Sequence, residues 1–384
     1  MAQYFPEEIV REILLKLPVQ SLSRFNCVNK EWCSIIKSPT FASDHLAHTN
    51  RSENNSTSRR LLALKVSDET NHPYKNTTTI ITACLSKQET EQTLDNVVKS
   101  FDEYTDLSFL HKSSIPFSFE VVGSCNGLVL LRCFNTLILW NPLVEKFVTI
   151  SEPHTDLSYY DVGWGFGFDS RTNDCRVVKI DSQVQVFSLA TGSWKSSKVG
   201  APPACSLSNC GPQRFINGAI HWLASTRIVG NDDDKRHSIL SFDISNETFR
   251  EIMLPKGLSI LNNCFRSPIF YSITEYGKSL ALCVGKTRFI SLWVMKEYGA
   301  AESWTQVLAH TTLEDIPKPL GFSSSGELLW KTESGKLASY DPKSTKIETE
   351  NAAKGDYCFA GSYVESLVLL NQPNLSRKRP IRGE

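Results

Sequence analysis

The chain has 384 residues, 41% hydrophobic and 21% charged, the balance of a soluble globular protein with room for one large or two ordinary domains. Its 41 basic and 41 acidic side chains cancel to a formal net charge of zero, which removes any bulk electrostatic reason to bind nucleic acid. The opening MAQYFPEEIVREILLKLP lacks the unbroken apolar core of a secretory signal, and no apolar run approaches the roughly 18 residues of a membrane span. The chain is therefore expected in the cytosol or nucleus.

From Glu7 the pattern is helical. Ile9, Ile13 and Leu17 recur every four residues, with Val10 and Leu14 beside them. Pro6 suits the first turn, Glu7 and Glu8 suit the positive end of the helix dipole, and Pro18 stops the helix. A second short helix is expected over VQSLSRFNCVN, with Val19, Leu22, Phe25 and Val28 at a spacing near three. A third is expected over KEWCSIIKS, with Trp32, Ile35 and Ile36 on one side and Pro39 as its end. Three short helices bury little surface alone, so leftover apolar positions are expected to meet a partner.

The string FPEEIVREILLKLPVQSLSRFNCVNKEWCSIIKSPTF, covering residues 5–41, resembles an F-box, in particular the plant form. The resemblance implies docking on an SKP-type adaptor, and through it on a cullin-based ubiquitin ligase. It places Phe5, Pro6, Ile9, Leu17, Pro18 and Trp32 on the adaptor face, with Ile13, Leu14, Leu22, Val28 and Ile36 supporting or sharing it. Leu14, Leu22 and Val28 serve equally well as packing between the helices. Phe5 departs from the family's usual leucine but remains an apolar anchor.

The F-box is expected over residues 1–46 and a polar linker over 47–59. A β-rich domain follows over 60–371, and residues 372–384 form a basic, disordered tail. In the long domain, short β-branched and aromatic runs such as LLALKV, TTIITACL, RVVKI and ILSFDI are cut by Gly, Asn, Asp and Pro, which implies an all-β fold. Five segments repeat a strand with an aromatic, a polar turn and a second strand, led by Trp140, Phe187, Phe242, Trp293 and Tyr340 at spacings of 47, 55, 51 and 47. Glycine-led strands at Gly127, Gly218, Gly277 and Gly326 precede most of them. A period near fifty of this kind predicts a kelch-like β-propeller of about six blades, with YVESLVLL closing the ring.

These strings, from about Gly123 to Leu370, also resemble the F-box-associated domain of plant F-box proteins. The resemblance extends to the F-box/kelch-type group that includes defence-regulating and S-locus F-box proteins. It implies a substrate-recognition subunit of a ubiquitin ligase, with propeller loops holding a substrate protein. An adaptor-binding scaffold with an inhibitory or non-degradative role is the alternative, and a propeller-fold enzyme is a more distant one.

Signs of chemistry are few. GWGFGFD (Gly163–Asp169) has G-x-G-x-G, and a turn and strand follow it where a phosphate-binding loop needs a helix. Its glycines instead predict close strand packing. GFSSSG lacks the spacing of a nucleophile elbow. His221, alternating with apolar neighbours, reads as a hydrogen-bonded core residue. The eleven cysteines are odd in number and contain no C-x-x-C. Cys125, Cys133, Cys175 and Cys283 are expected as small core side chains, and Cys205 and Cys210 lack a histidine at finger spacing. No catalytic residue, metal or cofactor is expected. The Asn-x-Ser/Thr sites meet no glycosylation machinery without export. NDDDKRH (Asn231–His237) reads as a solvated loop, and the basic run beginning Ser376-Arg377-Lys378-Arg379 as a nuclear signal or a solubilising end.

Overall fold

A computed structural model describes residues 5–52, 59–69, 78–86, 101–106, 119–133, 136–154, 162–199, 203, 205–207, 212–227, 235–256, 258, 269–286, 289–311, 319–323, 326–332, 336–341, 347–349 and 356–371. The tail 372–384, the middle of the expected linker, Asn231–Asp234 and Cys210 lie outside the described residues.

Four helices open the chain: α1 (Glu7–Leu15), α2 (Val19–Phe25), α3 (Lys30–Lys37) and α4 (Pro39–Ser52). The first three fall where apolar spacing placed them. Asn29 caps α3 by accepting the Trp32 N–H at 2.7 Å. The fourth was not anticipated, because Pro39 was read as a terminator. Pro39 instead occupies the first position of a new helix, where its missing N–H costs nothing, and Ser38 caps it by accepting the Phe41 N–H at 3.1 Å. Residues 47–52 of the expected linker are therefore helical.

Among the described residues the remainder is mainly β-structure, in six antiparallel sheets. Strands β1–β3 are Arg59–Glu69, Thr78–Ser86 and Phe101–Asp106. Strands β4–β7 are Phe119–Cys125, Leu128–Cys133, Thr136–Asn141 and Lys146–Ser151. Strands β8–β11 are Gly163–Asp169, Asp174–Ile180, Val184–Ser188 and Ser193–Ser196. Strands β12–β16 are Ser206–Leu207, Arg214–Ile216, Ala219–Arg227, Lys235–Asp243 and Thr248–Met253. Strands β17–β20 are Ile269–Tyr276, Ser279–Lys286, Phe289–Met295 and Trp304–Thr311. Strands β21–β24 are Pro319–Phe322, Leu328–Lys331, Leu337–Tyr340 and Ile347–Thr349, and β25 is Asp356–Val364.

The spacing implied about six blades. Five blades are built from consecutive strands, and the sheet that remains is composite, in the order β25-β1-β2-β3. In it the last strand returns to pair with the first, Leu62 opposite Gly361 and Ala63 opposite Ala360. Only Tyr363 and Val364 of the expected closing run YVESLVLL belong to that strand. The chain leaves the sheet at Glu365.

The repeat has a simple structural basis. Asn126-Gly127 (φ 49° and 74°) and Asn217-Gly218 (φ 52° and 77°) supply the paired positive φ values of tight hairpin turns between the first two strands of a blade. The repeated aromatics lie on the third strands and face the start of the fourth: Trp140 opposite Phe147, Phe187 opposite Trp194, Phe242 opposite Phe249. The β19–β20 hairpin departs from this. Its turn is longer, so Met295, not Trp293, is the residue opposite Trp304, and a bulge shifts the register between Leu292 and Trp293. In β8 the glycines do what was expected of them. A Cβ at Gly165 would lie 2.5 Å from the Trp222 ring, and one at Gly167 2.3 Å from Phe215. The next sheet therefore packs directly against the β8 backbone, and Trp164 and Phe166 are buried in the core between the β4–β7 and β8–β11 sheets.

Neighbouring blades are also latched at the rim. The indoles of Trp194 and Trp304, at the start of a fourth strand, donate to Ser151 O and Met253 O at the end of the preceding fourth strand, each at 3.0 Å. At the junction between them Glu247 accepts the Ser197 hydroxyl at 2.8 Å and the Lys198 N–H at 3.0 Å.

Candidate functional site

The eleven predicted adaptor-face residues separate into two groups. Leu14, Leu22 and Ile36 are between 0% and 1% exposed. They pack with Val19, Ile35 and Phe41 and have no surface to offer a partner. Phe5, Ile9, Ile13 and Val28 are 68%, 47%, 54% and 58% exposed, and Pro6 and Pro18 are exposed as well. Leu17 and Trp32 are partly buried, with the Trp32 ring tilted on Phe25 at 5.5 Å between centroids. Large side chains at Phe5, Ile9, Ile13 and Val28 left in water form an apolar surface of the kind that marks a protein contact. The stripe follows from spacing: Ile9 and Ile13 lie one turn apart on α1.

The opposite side of the helical unit is covered by the propeller. Val144, in the β6–β7 turn, and Leu367 complete the helical core, with Leu143 and Leu370 packed against it. The Val19 N–H, at the start of α2, donates to the Glu365 carboxylate at 3.0 Å. His45 Nε2 lies 2.8 Å from Leu17 O, and burial holds its imidazole below the ordinary value although Glu365 pulls the other way. Ser43 reaches Asn173 in the β8–β9 turn at 3.3 Å, and Asn371 donates to Lys37 O. Sequence reading missed Val144, Glu365, Leu367 and Leu370 as partners of the helices. Nothing in their local pattern distinguishes them from ordinary turn and strand residues.

These contacts fix which end of the ring carries the helices. In a four-stranded antiparallel blade, first-to-second and third-to-fourth turns fall at one end. Second-to-third turns and blade-to-blade crossings fall at the other. Leu143, Val144 and Asn173 are on turns of the first kind. Among the described residues, the far end is thus free of the helices. There the β7–β8 crossing is anchored by buried charges. Arg132 (2% exposed) meets Glu152 at 2.9 Å and stacks on Trp164 at 5.0 Å. Lys179 (0% exposed) meets Asp181 at 2.7 Å and donates to Pro153 O and His154 O. Both cations are paired and hydrogen-bonded, as buried charge requires.

A cavity of about 220 Å³ lies where the inner strands converge, lined by Arg214, Glu275, Phe322, Phe359 and Tyr363 among others. Burial pushes Arg214 down to about 10, with Glu275 acting against that shift. Its guanidinium donates to Leu320 O at 3.1 Å and lies 5.8 Å from the Phe359 centroid, tying the β13, β21 and β25 strands together. His221 is fully buried. Its Nε2 is 2.8 Å from the Tyr298 hydroxyl, and burial pushes the imidazole down to about 4 despite backbone hydrogen bonding. That is the core role expected of it. Cys175 and Cys283 are buried, with thiols pushed up to about 12, whereas Cys125 and Cys133 are only partly buried. Among the described residues no group of three or more His, Cys, Asp or Glu could hold a metal ion, and no helix is long and apolar enough to cross a membrane.

A small helical unit with a bare apolar face, mounted on one end of a β-propeller, defines a protein-interaction module. Comparison with known proteins agrees. Residues 4–44 match the F-box domain and residues 78–370 match the F-box associated beta propeller domain, so the chain belongs to the family of F-box proteins that carry this propeller. Neither match indicates an enzyme family. An F-box/kelch-repeat protein of Arabidopsis thaliana is 28% identical, with 88% of this chain and 87% of that protein covered. A second Arabidopsis thaliana F-box protein is 25% identical over 89% of this chain and 86% of its own length. The Arabidopsis thaliana F-box protein CPR1 is 25% identical over 95% of this chain and 88% of its own.

Proposed function

We propose that the chain is a substrate receptor of a cullin-based ubiquitin ligase, working in the cytosol or nucleus. Phe5, Pro6, Ile9, Ile13, Pro18 and Val28, with the edges of Leu17 and Trp32, receive the SKP-type adaptor, while Leu14, Leu22 and Ile36 hold that face in shape. The observation that carries this reading is the exposure of Phe5, just before α1, and of Ile9 and Ile13 on that helix, whose other side is already packed. The substrate protein is received at the end of the ring away from the helices. A substrate held there extends away from the adaptor contact, so the two do not compete for surface. The composite sheet counts as the sixth blade of this ring. Ubiquitin transfer belongs to other subunits, and this chain contributes proximity, which raises the local concentration of substrate lysines at the transfer site.

The test is co-purification with an SKP-type adaptor, comparing wild type with Ile9→Asp/Ile13→Asp. Two charges in the centre of an apolar contact are expected to weaken capture at least about a hundredfold. Circular dichroism and melting of the free chain should be unchanged. A wild-type chain that captures no adaptor, or a variant that captures it equally well, refutes the proposal.

A further inference from the structure

The segment Glu365–Asn371 follows directly on β25, the strand that closes the composite sheet, and runs on into the helical unit. On the ring side Asn141, fully buried, donates to both Ser366 O and Val368 O at 2.8 Å. The Tyr363 hydroxyl donates to Gly127 O at 3.0 Å and lies 3.1 Å from Asn141 Oδ1. A Cβ at Gly127 would come within 2.4 Å of Ser366, so the segment lies tight on the β4–β5 turn. On the helix side Glu365 supplies the acceptor that α2 lacks within its own sequence. The residue before α2 is Pro18, which offers no side-chain cap. Leu367, 2% exposed, fills the space between the helices.

We infer that Glu365–Asn371 is a strap that makes the order of the helical unit depend on closure of the ring. The same few residues are held by the ring only when β25 is seated, and they supply the helices with both a cap and a core side chain. A ring that has not closed therefore leaves the F-box helices short of a hydrogen-bond acceptor and with a void at Leu367. Glu365 and Leu367 are positioning residues, acting on the adaptor face through α2. The consequence for adaptor capture rests on the function proposed above. The coupling within the chain does not.

Hydrogen exchange on the full chain separates the two. Wild type is compared with Leu367→Ala, which opens the helical core, and with Asn141→Asp, which removes the amide donor to Ser366 O and Val368 O but keeps the acceptor of the Leu143 N–H, so that the β6–β7 turn packed on the helices stays in place. Both variants are expected to speed exchange of α2 and α3 amides at least about tenfold, below the roughly thirtyfold that marks the mild end of core leucine truncation. Amides in β9 and β14 should keep their protection. Unchanged helix exchange in Asn141→Asp, or equal acceleration in helices and ring, overturns the inference. If wild type captures no adaptor while both variants loosen the helices, the ligase reading fails and the strap stands.

Discussion

The helical unit and the ring handle apolar surface in opposite ways. In the ring, the repeated aromatics Trp140, Phe187 and Phe242 are buried, each opposite a partner strand, and every blade is covered by the next. In the helices, Phe5, Ile9, Ile13 and Val28 remain in water. A ring can satisfy itself, because closure provides each blade with a neighbour. Four short helices cannot. They are covered on one side by Val144 and Leu367 and remain bare on the other. The difference separates the surface that holds the molecule together from the surface left bare.

Stability measurements sharpen that contrast. The largest effect is expected at the buried ion pair in the ring. Glu152→Ala breaks the pair that Glu152 makes with buried Arg132 at 2.9 Å, and should lower the unfolding free energy by about 3–5 kcal/mol in a denaturant titration. A smaller effect comes from acid. The folded state holds His221 at about 4 against an ordinary value of 6.5, so between those pH values the unfolded chain takes up a proton that the folded chain refuses. Stability should fall by up to about 3 kcal/mol as pH drops from 6.5 to 4, and His221→Gln should flatten that part of the profile. His45, also held low by burial, adds a loss of the same sign that remains in the variant. The smallest effect belongs to the bare face. Ile13→Asp should shift the melting free energy of the unliganded chain by no more than about 0.5 kcal/mol. A large loss there would mean that Ile13 is packed, and the comparison would collapse.

Much of this was legible in the sequence. Glycine-led hairpins, aromatic third strands and the spacing near fifty all correspond to blades, because each follows from local turn chemistry or strand alternation. The spacing of Ile9 and Ile13 gave the exposed stripe. Leu14, Leu22 and Ile36 were expected to support or share the adaptor face, with packing between the helices an equal reading for Leu14 and Leu22, and all three are buried among the helices; periodicity reports that a position is apolar and not which neighbour covers it. Helix α4 was missed because proline before and proline within a helix look alike in one dimension. The departure of Glu365–Leu370 from the closing strand was illegible for a similar reason. SLVLL is equally suited to a ladder and to a core contact.

The closing strand also orders events in time. The F-box helices leave the ribosome before the ring does, and β25 with the strap emerges more than three hundred residues later. During synthesis the apolar helices therefore wait, half covered, for the strap that completes their core. An adaptor or chaperone that meets them early meets a loosely held surface. One that arrives after release meets helices braced against a finished ring.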